Sequence, residues 1–166
     1  MAVADDISTI IRQEQELVFE RFDEATAFAI GSHIRERALA DGLTLVADVR
    51  LWDRPLFYCA MPGTTADNPV WVRRKANSVQ RLGRSSYRLV LENPGEERVF
   101  PVRRALDPND YALAGGGFPI RVAGIGIVGA ATVSGLPERE DHNVVVAAIC
   151  HVLGKPYADY ALPRPA

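Results

Sequence analysis

The chain reads as an α+β domain, helices packed on an antiparallel sheet, and three observations predict it. Two pairs of apolar, strand-like runs are joined by turns too short for a helical crossover, Asp53-Arg54-Pro55 and Gly124-Ile125-Gly126, so each pair returns antiparallel. Helical-period segments precede, separate and follow these hairpins, without the βαβ alternation of a parallel sheet. The 166 residues, 48% hydrophobic and 24% charged, suit one soluble domain, 1–166, with its own core.

Taken in order, residues 7–20 place Ile7, Ile10, Ile11, Leu17 and Val18 at helical spacing, with Arg12, Glu16 and Glu20 opposite, an amphipathic helix. Asp23 caps a second helix to about Ala40, stopped by Asp41-Gly42, with Ala25, Phe28, Ala29 and Leu39 as its packed face. Leu43–Trp52 and Leu56–Met61 are the first hairpin, followed by a Pro62-Gly63-Thr64-Thr65 loop. Asn68-Pro69 starts a third helix, Asn as cap and Pro at its first position, running to about Gly83. Tyr87–Leu91 is a short strand or a helix extension, Asn93-Pro94-Gly95-Glu96 a turn and Arg98–Val102 a short extended piece. Asp107–Asp110 opens a loop or short helix that leads to the triple glycine. Phe118–Val122 and Ile127–Val133 make the second hairpin, and Glu138–Leu153 the last helix, stopped by Gly154 and Pro156. The core is expected over about 7–154, with 155–166 a proline-containing tail.

Composition excludes several classes. A net charge of −2 gives no overall attraction to nucleic acid or membrane. Six basic residues between Arg73 and Arg88 lack the interleaved aromatics of a nucleic-acid surface. Two cysteines, Cys59 and Cys150, make neither a disulfide framework nor a zinc knuckle and fit a reducing compartment. With Asp5 and Asp6 near the start and no apolar run of about 18 residues, neither a signal peptide nor a membrane span is expected, and the location expected is cytoplasmic.

The residues that point to a site are few. On the third helix, at about 100° per residue, Val72, Ala76, Val79 and Leu82 share a face. Lys75 falls inside that apolar arc, either snorkelling, ion-paired or held at a pocket edge by an anion. Arg74, Asn77, Arg81 and Ser85 form the opposite stripe, a solvated face, a subunit contact or an anion-binding surface. Gly115-Gly116-Gly117 can present backbone N–H groups to an anion. It is not a Walker loop, since Phe-Pro-Ile follows it, and Gly124-x-Gly126-x-x-Gly129 lies inside a hairpin where a dinucleotide fingerprint would open a helix. Ser134 lacks the Gly-x-Ser-x-Gly setting of a hydrolase nucleophile. Asp141 and His142 open the last helix; Asp141 suits its dipole, and His142 is the best placed of three histidines to act as ligand or proton carrier. His33 reads as structural, and His151 lies about 180° round the helix from His142. No ligand spacing for a preformed metal site exists.

Trp71-Val72-Arg73-Arg74-Lys75-Ala76-Asn77, Arg84-Ser85-Ser86, Gly115-Gly116-Gly117-Phe118-Pro119-Ile120 and Val133-Ser134-Gly135-Leu136-Pro137 with Asp141-His142 together resemble the GlcG-like, or haem-degrading-domain, superfamily. Within it the likeness is closer to the branch whose members carry only a serial-number family name. It spans roughly residues 10–155. The chain departs from the superfamily's Lys-Ala-x-Thr-Ala helix motif, having Lys75-Ala76-Asn77-Ser78-Val79. The resemblance implies a profilin-like domain, a five-stranded antiparallel sheet flanked by helices, that assembles as a dimer or larger homo-oligomer. In some relatives it implies bound haem. The functional expectation is a pocket framed by Lys75, Asn77, Gly115, Gly116, Gly117, Ser134, Asp141 and His142 for haem or a small anionic ligand. The alternatives are an enzyme using Lys75 or His142 as acid/base group, and a non-catalytic assembly protein in contact through the first helix and the stripe of Arg74, Arg81 and Ser85.

Overall fold

Three consecutive apolar residues, Leu17-Val18-Phe19, cannot all lie on one stripe of an amphipathic helix, and this ends the first helix early. The computed structural model describes residues 2–163; residues 164–166, the end of the expected tail, lie outside them. Helix α1 is Ala2–Glu16 and is followed by a two-residue strand, β1, Val18–Phe19, where the first helix was expected to run to residue 20. The chain continues as α2 Glu24–Asp41, β2 Val46–Leu51, β3 Arg54–Ala60, α3 Asp67–Leu82, α4 Ser86–Glu92, β4 Gly117–Val122, β5 Gly126–Ser134 and α5 Glu138–Leu153.

The five strands form one sheet in the order β1-β4-β5-β2-β3. β2/β3, β2/β5 and β4/β5 pair antiparallel. The edge pair is different: β1 runs parallel to β4, with Val18 opposite Arg121 and Phe19 opposite Val122. The fifth strand is therefore this N-terminal one. Tyr87–Leu91 lies within α4, and Arg98–Val102 stays outside the sheet, leading into a 3₁₀ turn at Val102–Arg104.

Helices α2 and α5 cover one face of the sheet and α3 the other. Ile30, Ile34, Val49, Phe118, Ile120, Val133, Val145 and Ile149 meet in the main core. A second cluster, with Ile10, Tyr87, Leu89, Phe100 and Leu113, joins α1 to α4. The segment after α5 is laid back on α1: Tyr160 and Leu162 are buried, Gln13 donates to the Tyr160 carbonyl at 2.6 Å and Tyr160 Oη bonds the Glu16 carboxylate at 2.9 Å. The packed unit therefore extends past residue 154.

Two local expectations need correction. Asp23 does cap α2, accepting from Thr26 N, and Gly42 ends it in the left-handed conformation. The buried stripe, however, is Ala27, Ile30, Gly31, Ile34 and Ala38. Ala25 and Ala29 are exposed, as are Phe28 (63%) and Leu39 (53%). Apolar residues all round α2 leave two stripes with the same spacing, and only the sheet selects between them. At α3, Asn68 lies inside the helix, and its Oδ1 accepts from Thr65 N at 2.9 Å, tying down the preceding turn.

The corrected phase of α2 has a direct test in urea denaturation. Ile30→Ala should cost about 2–5 kcal/mol and Leu39→Ala within about 0.5 kcal/mol; a reversed order would restore the other face.

Candidate functional site

The turn Ser134-Gly135-Leu136-Pro137 delivers the chain from β5 into α5. Gly135 has φ 147°, and a Cβ there would meet the Thr44 carbonyl at 2.3 Å, so the turn takes only glycine without strain. It places Leu136 N within 3.0 Å of Asp141 Oδ1. Across from it, the apolar face of α3 carries Lys75, whose Nζ lies 3.0 Å from Asp141 Oδ2 and 3.0 Å from the Val133 carbonyl. The two side chains are 4% and 2% exposed.

Burial governs the charge state of this pair. It pulls the Lys75 ammonium below its ordinary value despite the attraction of Asp141. It pushes the Asp141 carboxyl up to about 6, against the opposing pull of Lys75 and the N–H groups of Leu136 and Gly135. Both shifts have one cause, the removal of water from a charged group.

The pair forms the floor of an open groove of about 590 Å³. One wall is the start of α3, where Trp71 donates its indole N–H to Asp67 at 3.0 Å and the Arg74 guanidinium lies 4.3 Å from the Trp71 ring centre. The other is the start of α5, where Glu138 receives Arg98 Nη2 at 2.7 Å to both carboxylate oxygens and Gly115 N at 3.3 Å. Asn68 and Ser134 complete the lining between them.

Of the expected site residues, Lys75, Ser134 and Asp141 meet here. Gly116 backs the pair: with φ 126°, any Cβ would meet the Val133 carbonyl at 2.3 Å and Lys75 Nζ at 3.0 Å. The triple glycine is not an anion cradle, because Gly115 N bonds Glu138 and Gly117 N bonds Ser86 Oγ at 2.8 Å. Asn77 points elsewhere, to the Asp110 carbonyl at 2.9 Å, and shares a separate hollow of about 320 Å³ with Arg81. Arg74 donates to the Pro108 carbonyl at 2.9 Å. Ser85 is buried as the cap of α4, its N–H bonded to Glu14 at 2.7 Å, and leaves the arginine stripe altogether.

His142 is the largest correction. It is fully buried on the core side of α5, between the rings of Tyr87 at 5.5 Å and Phe118 at 5.9 Å. Nε2 pairs with the Gln13 amide oxygen at 2.8 Å, and Nδ1 has no partner among the described residues. Burial, helped by nearby Arg139, lowers it to about 3, so the ring is neutral at neutral pH and does not reach the groove. The other two histidines, His33 and His151, stack on each other at 4.2 Å.

Groove residues that the sequence did not mark as site residues include Asp67, Asn68, Trp71, Arg98 and Glu138. Two of them carried a signal: Asn68 and Trp71 stand at i and i+3 with Lys75 at i+7, on one helical stripe. Arg98 carried none, since only the fold of the 93–102 loop brings it to the groove.

The five-stranded sheet flanked by helices is a fold shared with a group of solved domains. Over 92% of both chains it matches the Ybr137w protein (TM-score 0.83, 22% identity). It matches HbpS over 81% of this chain and 91% of that one (0.62, 20%), and the protein of the PduOC:Heme complex over 78% and 93% (0.65, 15%). Identities this low show the fold alone.

The chain belongs to the family described as haem degrading protein HbpS-like, which matches residues 22–150. Its relatives include a UPF0303 protein of Mesorhizobium japonicum, 60% identical over 93% of this chain and 92% of that one. Another, from Brucella anthropi, is 53% identical over 98% and 99%.

Haem iron is held by an axial His, Cys, Met or Tyr, and none of these lines the groove. Lys75 is committed to Asp141, and His142 is enclosed. The residues at the groove do not fit haem through its iron. Among the described residues no cluster of three or more His, Cys, Asp or Glu is placed to hold a metal.

Two measurements check this electrostatic account. Lys75→Met should cost about 3–5 kcal/mol by stranding Asp141, and Lys75→Met/Asp141→Leu should regain at least half of it in urea unfolding; equal losses would dismiss the buried pair. The second concerns pH. Between the ordinary 6.5 and about 3, the unfolded chain protonates His142 while the folded chain does not, so stability falls as pH drops. Asp141, raised from 3.8 to about 6, acts oppositely: the folded form holds the proton more tightly, and stability rises as pH falls. Comparison with His142→Gln separates them. Below pH 6.5 the wild type should lose stability relative to the variant, by at most about 1.4 kcal/mol per pH unit; parallel profiles would contradict a buried neutral ring.

Proposed function

We propose that the chain binds a small carboxylate-bearing molecule in the groove floored by Lys75 and Asp141. One observation carries this reading: a nearly water-free ion pair that borders an open groove. Buried ion pairs stabilise no better than apolar residues of the same size, so an ion pair at a groove with Asp141 pushed up to about 6 and Lys75 drawn down supports a functional reading. Lys75 has three N–H donors, two of them engaged by Val133 and Asp141. Ser134 Oγ has no partner among the described residues and lines the same groove. The family's description names haem; the missing axial donor favours a ligand held by its carboxylates.

A second reading, proton transfer, is favoured by the Asp141 value of about 6 beside a lysine that is also drawn down. In it, Lys75 and Asp141 exchange a proton with the bound molecule, and His142 has no part. Homo-oligomeric assembly belongs to the proposal as well. It is supported by the free edge of β3, flanked by exposed Phe28 and Tyr58, more than by the arginine stripe, whose Ser85 is buried and whose Arg74 is engaged.

Calorimetric titration with oxalate, succinate and malate tests the ligand class. At least one should give saturable heat that disappears in Lys75→Met/Asp141→Leu. No binding of any of the three sinks the carboxylate reading, and a Soret shift with hemin that these acids leave unchanged would return the site to haem.

A further inference from the structure

Arg98 stands out on backbone and side-chain grounds together. Its φ is 55°, and Ala105 is the only other non-glycine in that region among the described residues. A side chain held there is strained, and such outliers gather where a group must be aimed. Arg98 lines the groove and also the adjoining hollow of about 360 Å³ beneath its own loop.

Its guanidinium is only partly engaged. Both contacts to Glu138 come from Nη2, at 2.7 Å to each carboxylate oxygen. Nε and Nη1 have no partner among the described residues, which leaves three of five N–H groups for water or a ligand. Glu138 is itself held from behind by Gly115 N at 3.3 Å, so it acts as a post that fixes the guanidinium at the groove mouth. The side chain is 49% exposed, and a guanidinium there can still lose water to an entering oxyanion.

We propose that Arg98 recognises the oxyanion of the groove's ligand, donating a free Nη1 or Nε hydrogen to it while Glu138 retains Nη2. This rests on the reading of the groove as a carboxylate site. It assigns the specificity for charge to a loop residue, and to Lys75 the role of floor.

The competing role for Arg98 is to neutralise Glu138, and one comparison separates the two. Glu138→Gln and Arg98→Ala/Glu138→Gln both lack the acid, and they differ only in the guanidinium. In calorimetry with the tightest-binding of oxalate, succinate and malate, the double variant should bind about tenfold more weakly than Glu138→Gln, the loss of one charge-assisted contact. Arg98→Lys/Glu138→Gln should recover part of the loss. A difference of less than threefold between Glu138→Gln and the double variant overturns the assignment while the groove reading stands. Failure of all three acids to bind the wild type overturns both. Circular dichroism of each variant should match the wild type, since Arg98 lies in a loop and Glu138 is the terminal residue of α5.

Discussion

The contact between Lys75 and Asp141 is the constraint around which the rest is arranged. It joins the middle of α3 to the start of α5 across 66 positions in sequence, and its lysine also grips the carbonyl of Val133 on β5. Desolvation of both groups opposes it, as the two displaced protonation equilibria show. It persists because each partner has further hydrogen bonds: the Val133 carbonyl for Lys75, the Leu136 N–H for Asp141. Its geometry then dictates the glycines. Gly116 leaves room for the ammonium, and Gly135 lets the turn close on Thr44. What reads as a glycine-rich binding loop is packing around an ion pair.

Asp141 and His142 are neighbours with opposite surroundings. A helix rotates about 100° between adjacent residues, and α5 lies at a boundary where that angle separates groove from core. Asp141 faces the lysine. His142 faces Tyr87, Phe118 and the Gln13 amide of α1. Through Gln13, which also reaches the Tyr160 carbonyl, the histidine is tied to the first helix and the last turn of the chain. Polar groups inside a core are tolerated when they are bonded, and this ring meets the condition at one nitrogen only.

The parts of this architecture legible in the sequence are those determined by local chemistry. Short turns announce both hairpins, Gly42, Gly83 and Gly154 end three helices in the left-handed conformation, and Asp23 caps α2. Lys75 in an apolar arc leaves snorkelling, an ion pair and a pocket edge open, and the fold selects the buried ion pair. The parts not legible depend on which surface covers which. Ile30 and Leu39 lie on alternative stripes of α2, and the sheet decides between them. Val18–Phe19 becomes a strand because β4 offers an unpaired edge. Ser85 looks like a continuation of the α3 stripe until Gly83 breaks the helix and Ser85 caps the next one. Arg98 belongs to no periodic pattern, and a loop conformation alone brings it to Glu138.

Membership in an HbpS-like family establishes the frame and leaves the contents of the groove to its own side chains. Those carry three acids and two bases: Lys75 faces Asp141, Arg98 faces Glu138, and the Asp67 carboxylate accepts from the Trp71 indole. A formal excess of one negative charge by itself repels an anion. The excess is local, because Asp67 sits on the α3 wall, whereas the unengaged donors belong to Arg98, Lys75 and Ser134. A molecule that presents a carboxylate to those donors and a hydroxyl or amine to Asp67 satisfies both, and a plain dicarboxylate satisfies one. The arrangement therefore favours a ligand with an acid at one end and a hydrogen-bond donor at the other.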